Sequence, residues 1–298
     1  MREGLMKRND MKEFKYLIVN ADDYGRTPGV SKGIRIAHRN GIVTSTTALM
    51  NMPGIEEELH TAMREAPELG LGVHLVLTSG APLLPAGEVD SITGGRRTFP
   101  GQEDFIRRLD AINPEQAAAE WDAQIRKFAS VTGRNPDHLD SHHHATYFSE
   151  PLFEKFLGLA KKYSCPIRIP LPCPSGYCDG LPEALCAPAW DFVPRLTEKF
   201  GTKKPDWFIG TFYNEQATAE QLSSIIERLP SGISEIMCHP GYADRELVET
   251  SAYNKPRERE LEILTDPSLR DVLVERGVEL ISFEELTQMG KLPKRGKP

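Results

Sequence analysis

The first strand–helix–strand unit of the chain reads YLIVNADDYGRTPGVSKGIRIAHRNGIVTSTTALMN, residues 16–51. Its opening YLIVN is a short apolar run, which fits a buried strand. VSKGIRIAHRNG reads as a helix that closes at Asn40 and Gly41, and the β-branched IVTSTTALMN predicts a second strand. This order predicts two parallel strands joined by a helical crossover.

Strands and helices continue to alternate to the end of the chain. Further strands are predicted within residues 71–77, 137–145, 166–169 and 235–241, another unit starts at 210–214, and the stretch VELISFEEL at 278–286 ends the series. Helices are predicted around residues 54–66, 114–132, 151–163 and 217–229, with two more before residue 278, and loops at 78–101 and 170–194. This pattern over 298 residues predicts a single-domain α/β fold. A (β/α) barrel fits best, because such barrels run to about 250 residues.

The overall composition is that of an ordinary globular protein, with 39% hydrophobic and 27% charged residues. A formal charge of −7 argues against nucleic-acid binding, which relies on Lys and Arg facing phosphates. The polar N-terminus has no signal-peptide core, and no apolar run approaches the ~20 residues of a membrane helix. These features predict a cytoplasmic protein without a membrane partner, with a flexible tail at residues 1–10, one domain at 11–288 and a C-terminal tail at 289–298.

Four of the five cysteines lie in one Pro-rich stretch, at Cys165, Cys173, Cys178 and Cys186. Their spacing matches no familiar zinc knuckle, so free thiols in a loop are expected, with a structural zinc site as the alternative. The fifth, Cys238, falls in an apolar strand and is expected in the core.

Asp and His residues recur at the ends of four predicted strands. These are Asp22 and Asp23 after YLIVN, His74 in LGVHLVL, the run from Asp140 to His144, and His239 after EIMC. Active sites of α/β barrels lie on the rim where the strands end. One Asp and two His form a compact site for a hydrolytic divalent ion, so the joint placement predicts a metal site.

Neighbouring side chains in a strand point to opposite sides, so one of Asp22 and Asp23 is expected to bind the metal while the other faces water. Asp140, His142 and His144 alternate along one strand, and at least two of the three are expected to point inward. Which of His142 and His144 is the ligand stays open at this point. Each motif taken alone has a structural reading as a cap, a turn or a packed core histidine.

Six stretches together resemble the YdjC-type carbohydrate deacetylases, most closely those acting on chitooligosaccharides. They are LIVNADDYG, NGIVTSTTALMN, GVHLVLTSG, DHLDSHHH, EIMCHPGYAD and SAYNKPRERELEILTDPSL, in the expected order over nearly all of residues 16–288. The resemblance implies a distorted α/β barrel, one divalent ion that is Mg²⁺ or a related metal such as Zn²⁺, and a homodimer.

The resemblance also implies roles for particular residues. Asp23, His74 and His142 would hold the metal, Asp22 would be the general base, and His239 would act as an acid or stabilise an oxyanion. There is one departure, because the family usually continues the histidine run with Val-His-Met and this chain has Ala145, Thr146 and Tyr147. A histidine expected at Thr146 is therefore missing.

The expected reaction is hydrolysis of an N-acetyl group from a small acetylated sugar, such as diacetylchitobiose, to acetate and an amino sugar. Sugar rings stack on aromatic faces, so Phe212 and Tyr213 are candidate substrate contacts, with core packing as the alternative. Arg168 is a further candidate substrate contact, with a structural ion pair as the alternative. Two other functions stay open, namely a metal-dependent phosphoesterase and a non-catalytic sugar-binding relative.

Overall fold

The computed structural model describes residues 14–171 and 181–289. Within these residues seven strands form one sheet, and every pairing between them is parallel. The strands are β1 (Lys15–Tyr24), β2 (Ser45–Ala48), β3 (Gly70–Leu75), β4 (Leu139–Ser141), β5 (Trp207–Ile209), β6 (Gly232–Cys238) and β7 (Val278–Leu280). Cys173, Cys178, the predicted tail at 1–10 and nearly all of the predicted tail at 289–298 lie outside the described residues.

Strand β1 is the centre of the sheet, whose order is β4-β3-β2-β1-β6-β5. Its C-terminal half pairs with β2, and β7 pairs with its first three residues. Within the described residues β4 and β5 do not pair with each other, so the sheet curls into a half-barrel. The predicted single-domain α/β fold is confirmed, and the barrel takes this distorted, open form.

Helices connect the strands of the sheet, as parallel pairing requires. The described helices are α1 (Pro28–Asn40), α2 (Ile55–Glu65), α3 (Asp90–Thr93), α4 (Gln102–Arg107), α5 (Pro114–Thr132), α6 (Glu150–Tyr163), α7 (Glu183–Phe200), α8 (Ala219–Glu227), α9 (Arg245–Thr250), α10 (Lys255–Leu264), α11 (Ser268–Glu275) and α12 (Phe283–Met289). None of them is long and apolar enough to cross a membrane.

Helix α1 shows how local sequence sets an element that supports the rim. Thr27 accepts a hydrogen bond from the Val30 amide as N-cap, and Pro28 occupies the first turn, where its missing N–H costs nothing. A Cβ atom at Gly33 would lie 2.5 Å from the Gly241 Cα, so this glycine lets the helix approach the loop after β6. A larger residue at position 33 would displace that loop.

Three local predictions were wrong. The predicted loop at 170–194 contains the first two thirds of α7, a helix whose apolar face (Ala189, Phe192, Val193 and Leu196) is buried despite two internal prolines. The predicted loop at 78–101 contains α3 and a short 3₁₀ helix. Residues 166–169 form only an isolated bridge, between Leu139 and Ile167, rather than a strand.

Candidate metal centre and active site

The C-terminal edge of the sheet gathers the predicted polar residues. Asp22 and Asp23 lie near the end of β1, His74 is the penultimate residue of β3, His142 follows β4, and His239 follows β6. Because all these strands are parallel, their side chains meet on one rim. The structure thus brings together the five residues that the sequence suggested.

A β-bulge changes how the two neighbouring aspartates point. The register between β1 and β2 shifts between Ala21 and Tyr24, and Asp23 has a φ of 71° in the left-handed region, which Asp tolerates better than most residues. As a result both carboxylates face the same ring: the His74 Nε2 lies 3.6 Å from Asp23 Oδ1 and 4.0 Å from Asp22 Oδ2. The expectation that they diverge to opposite sides is corrected.

Asp23 presents one oxygen to two imidazoles and the other to a guanidinium. Its Oδ1 lies 3.6 Å from His74 Nε2 and 3.1 Å from His142 Nδ1, and among the described residues no donor reaches this buried oxygen in hydrogen-bonding geometry. Its Oδ2 accepts a hydrogen bond from Arg257 Nη2 at 2.5 Å. The three potential ligand atoms of Asp23, His74 and His142 lie within 4.8 Å of one another. A buried oxygen without a donor beside two nitrogens fits a cation, so this donor set suits one divalent ion.

His74 is held in one orientation by Asp140. Its Nδ1 lies 2.6 Å from Asp140 Oδ1, and Thr47 Oγ1 donates to Asp140 Oδ2 at 3.1 Å. Nδ1 therefore carries a proton, and Nε2 is the nitrogen that can bind a metal once it has lost its own proton, as in the carboxylate–histidine pairs that support many metal sites. Burial alone would lower the pKa of His74, but the Asp140 charge outweighs burial and raises it to about 9.

Arg168 is a buried arginine that pairs with three carboxylates. Its guanidinium donates to both oxygens of Asp22, at 2.6 and 2.7 Å, and pairs with Asp140 at 2.9 Å and Glu235 at 2.7 Å. Burial opposes ionisation of Asp22, but the Arg168 charge outweighs it and holds the pKa of Asp22 well below its ordinary value. Because Arg168 is 0% exposed, the expectation that it contacts the substrate is corrected. Arg168 instead forms structural ion pairs, which was the alternative interpretation from the sequence.

A second group, of Asp22, His74 and Asp140, also brings three potential ligand atoms within 4.8 Å. The charges of this group are already paired within the protein: His74 Nδ1 pairs with Asp140, and Arg168 pairs with both Asp140 and Asp22. A guanidinium at this position supplies the positive charge that a second ion would supply. This group is therefore explained without a metal.

His239 faces Asp22 from the opposite side of the cleft. Its Nε2 lies 4.0 Å from Asp22 Oδ2, and burial lowers the pKa of its imidazole to about 4. The ring stands edge-on to Tyr213 and Tyr253, with centroid distances of 5.3 and 5.6 Å. It is therefore a neutral imidazole at pH 7 with its Nε2 directed at the candidate base.

A cavity of about 580 Å³ opens over these residues. Among its lining residues are Arg26, Ser79, Tyr213, Ser251 and Tyr253. Its volume falls within the range of small-molecule sites, and its wall is rich in hydroxyl and charged groups. Such a lining suits a polar solute such as a sugar.

The two aromatic candidates differ in position. Tyr213 is 41% exposed, lines the cavity and stacks on Tyr253 with ring centroids 4.4 Å apart. Phe212 is 0% exposed and belongs to the main hydrophobic core. The expectation that Phe212 contacts the substrate is corrected, because its side chain points into the core.

The histidine run does not continue as a strand. β4 ends at Ser141, and His143 and His144 take left-handed φ values of 55° and 56° in a 3₁₀ segment. This turn brings His142 to Asp23, whereas His144 packs edge-on against Phe208 at 5.6 Å. His142, not His144, lies in the three-residue group.

Two residues that flank the histidine run, His138 and Thr146, lie away from the cavity. His138 stacks on Phe283 with ring centroids 3.9 Å apart and is 0% exposed, so it is a core residue. Thr146 is buried and exchanges hydrogen bonds with Ser141. The histidine that the family usually has at position 146 is therefore missing from a buried position rather than from the cavity wall.

Sequence reasoning missed two buried charges on α10. Arg257 bonds Asp23, and Glu260 accepts a hydrogen bond from the His239 amide at 2.5 Å. They belong to the stretch SAYNKPRERELEILTDPSL, which carried the family resemblance but no assigned role. A helical segment rich in charged residues is typical of a solvent-exposed surface. Only the burial of these two side chains in the structure shows that they belong to the site.

Comparison with known families identifies the chain's relatives. The family model for YdjC-like proteins matches residues 16–275. The chain belongs to the YdjC-like family. The predicted family is confirmed.

Curated YdjC-like relatives match along nearly their whole length. A carbohydrate deacetylase of Enterococcus faecalis is 35% identical, with 91% of this chain and 98% of that protein aligned. One from Thermoanaerobacter pseudethanolicus is 37% identical, with 91% and 99% aligned. A chitooligosaccharide deacetylase of Salmonella paratyphi B is 36% identical over the same shares.

A solved structure shares the fold of this YdjC-like chain. It is from Enterococcus faecalis V583 and is provisionally named a cellobiose-phosphate cleavage protein. The two superpose with a TM-score of 0.81 at 36% identity, covering 92% of this chain and 99% of that one.

Proposed function

We propose that this protein is a metal-dependent carbohydrate N-deacetylase that hydrolyses the N-acetyl group of a small sugar. The observation that carries the proposal is the group of Asp23, His74 and His142, with Asp22 and His239 on either side. Family membership and relatives named carbohydrate deacetylase support it.

One divalent ion is the proposed cofactor, held by Asp23 Oδ1, His74 Nε2 and His142 Nδ1. An ion bound there supplies Lewis acidity, which polarises an amide carbonyl and makes water easier to deprotonate. The family resemblance points to Mg²⁺, while two imidazoles among three donors favour Zn²⁺ or another transition metal. The unpartnered Asp23 Oδ1 supports the site for either ion.

Asp22 is the proposed proton acceptor for the attacking water. Arg168 and the Asn20 amide, which donates to Asp22 Oδ1 at 2.9 Å, keep the carboxylate ionised and fixed in place. Its low pKa makes it a weak base, so its contribution depends on position rather than on basicity. A strong conjugate acid in turn passes its proton on readily.

His239 enters the proposed reaction as a neutral imidazole, because burial lowers its pKa to about 4. In its Nε2–H tautomer it donates a hydrogen bond to the oxyanion that develops on the acetyl carbonyl. The proton that Asp22 takes from water is then the one available to the leaving nitrogen. Of the two roles that the resemblance implied for His239, oxyanion stabilisation therefore fits its charge state better.

The proposed substrate is a short N-acetylglucosamine oligomer, with diacetylchitobiose the first to test. Tyr213 offers an exposed aromatic face at the cavity wall, on which a sugar ring can stack. The relative from Salmonella named chitooligosaccharide deacetylase supports this class of sugar. A cytoplasmic location and a homodimer remain predictions.

Neither alternative function is favoured by the geometry. A phosphoesterase with two metals would need ligands for a second ion, and the second acidic group is neutralised by Arg168. A non-catalytic sugar-binding relative was suggested by the missing histidine at Thr146, which lies at a buried position away from the cavity.

The experiment that tests the proposal is acetate release from a panel of N-acetylated mono- and oligosaccharides. The panel includes an O-acetyl ester and a chromogenic phosphate ester. We expect acetate from an N-acetylated sugar, its loss on chelation and its return with a divalent ion. Phosphate release without acetate release, or full turnover by the metal-free protein, would overturn the proposal.

A further inference from the structure

Helix α10 borders the candidate active site and directs two buried charges at it, and one of them, Arg257, is also among the residues that line the cavity. Arg257 is 3% exposed and Glu260 is 0% exposed, and they are three residues apart on one helical face. One bonds a carboxylate of the proposed metal site, and the other bonds the main chain of the residue across the cleft. A single rigid element thus contacts both sides of the site.

Arg257 fixes the orientation of Asp23. Its Nη2 donates to Asp23 Oδ2 at 2.5 Å, while its Nε donates to the Tyr253 carbonyl at 3.0 Å. The guanidinium is planar and rigid, so anchoring one edge to the main chain fixes where the other edge holds the carboxylate. With Oδ2 occupied, Oδ1 is the oxygen left facing His74 and His142.

Fold stability alone does not explain this arginine. Its Nη1 is buried and has no hydrogen-bond partner within the described residues, which is an unfavourable state for a charged donor. Its bond to Asp23 is the contact that a functional role explains.

Glu260 performs the corresponding task for His239. One carboxylate oxygen accepts the His239 amide hydrogen at 2.5 Å, and the other accepts the Tyr253 hydroxyl hydrogen. That hydroxyl in turn accepts a hydrogen bond from the Asn214 amide at 3.0 Å. The loop that carries His239 and the loop after Tyr213 are therefore tied to the same carboxylate.

We propose that α10 positions both sides of the active site, with Arg257 holding Asp23 as a metal ligand and Glu260 holding His239 beside Asp22. We call both positioning residues, because Arg257 acts through its hydrogen bond to Asp23 and Glu260 through its hydrogen bond to the His239 amide. This inference rests on the proposed function, because it presupposes a metal at Asp23. It predicts that the two residues affect different steps.

The test compares two single variants on the same helix in two measurements, metal affinity and kcat. Arg257→Lys keeps the charge but cannot bond Asp23 and the Tyr253 carbonyl together, and Glu260→Gln keeps size but loses one of two acceptors. Mg²⁺, Mn²⁺ and Zn²⁺ are titrated separately into metal-free protein by calorimetry, and kcat is measured at saturating ion. Arg108→Lys is the control, because Arg108 bonds only main-chain carbonyls of Ser91 and Ile92 among the contacts described.

We expect Arg257→Lys to weaken metal affinity by about ten- to a hundredfold, as loss of an outer ligand contact usually does. We expect Glu260→Gln to keep wild-type metal affinity but lose at least tenfold in kcat, and Arg108→Lys to match wild type in both. If Arg257→Lys does not fold, Arg257→Gln replaces it, and weaker metal binding is again expected.

Three results would overturn the inference. Unchanged metal binding by the folded Arg257 variant would remove the positioning role of Arg257, and tighter binding would show that Arg257 competes with the ion. Unchanged kcat in Glu260→Gln would remove the role of Glu260. A wild-type protein that releases acetate but binds none of the three ions would overturn both the inference and the proposed metal site. If the wild-type protein binds an ion and both variants match it in metal affinity and kcat, the inference alone is overturned.

Discussion

His74 donates from Nδ1 to Asp140 Oδ1 across 2.6 Å, and this contact leaves its Nε2 facing Asp23. We expect Asp140→Asn to weaken metal affinity by about ten- to a hundredfold, because the amide neither fixes the tautomer nor raises the basicity of the ring. Calorimetric titration of metal-free protein above pH 9 measures it, because there His74 has already lost the proton that would compete with the ion. Asp104→Asn, at a surface ion pair with Arg96, is the control and should bind normally. Equal affinity in the Asp140 variant would mean that the contact is not needed for the ligand.

Metal binding should be linked to proton release. In metal-free protein Asp140 raises the pKa of His74 to about 9, so below that pH the ring is protonated and must lose a proton to bind an ion. Apparent affinity should therefore fall about tenfold for each pH unit below 9 and level off above it. Calorimetry at pH 7 in buffers of different ionisation enthalpy should report about one proton released per ion. Release of none would contradict the assignment of His74 as a ligand.

Arg168 should be essential for stability. It is buried and pairs with three carboxylates, so Arg168→Met leaves Asp22, Asp140 and Glu235 without their cation. Breaking a buried pair in this way costs about 3–5 kcal/mol, which chemical denaturation of metal-free protein should show. Arg245→Met is the control, because its pair with Glu249 is solvent-exposed and should contribute at most about 1 kcal/mol. An equal free energy of unfolding in the two variants would show that Arg168 is not needed to neutralise the three carboxylates.

Tyr213 and Phe212 are neighbours with opposite expected effects. Tyr213→Ala should raise KM for the sugar by roughly two- to tenfold, because it removes an exposed aromatic face, and should cost only about 1 kcal/mol of stability from its stacking on Tyr253. Phe212→Ala should cost about 3–5 kcal/mol of unfolding free energy, because it empties a core position. Steady-state kinetics and denaturation of both variants check the pair. A wild-type KM in Tyr213→Ala would place the sugar elsewhere in the cavity.

Much of the site was predictable from the sequence because topology determines it. Once strands and helices alternate, the strand ends share one rim, and Asp22, Asp23, His74, the run from Asp140 to His144 and His239 follow. The choice of His142 within that run came from the family resemblance. Helix α5 was also predicted with its observed bounds, Pro114–Thr132, because Pro at its start and Gly133 beyond its end are strong local signals.

What was missed depends on contacts between distant parts of the chain. Arg257 lies 234 residues from Asp23, and no local pattern shows that such a charge is buried. The bulge at Asp23 depends on pairing with β2, so strand alternation gave the wrong directions for the two aspartates. In α7, Pro188 and Pro194 argue for a loop, but burial of the helix's apolar face outweighs their local cost.

The central claim is a division of labour between Asp22 and Asp23, in which Asp23 binds the ion and Asp22 takes the proton. Asparagine keeps the size of each side chain but cannot accept a proton at neutral pH and is a weaker ligand. The deciding measurement is bound metal per chain in Asp22→Asn and Asp23→Asn, with acetate release recorded on the same samples. We predict that Asp22→Asn keeps about one ion per chain with little acetate release, and that Asp23→Asn loses the ion. Metal loss in Asp22→Asn with retention in Asp23→Asn, or acetate release at the wild-type rate in both, would contradict the account.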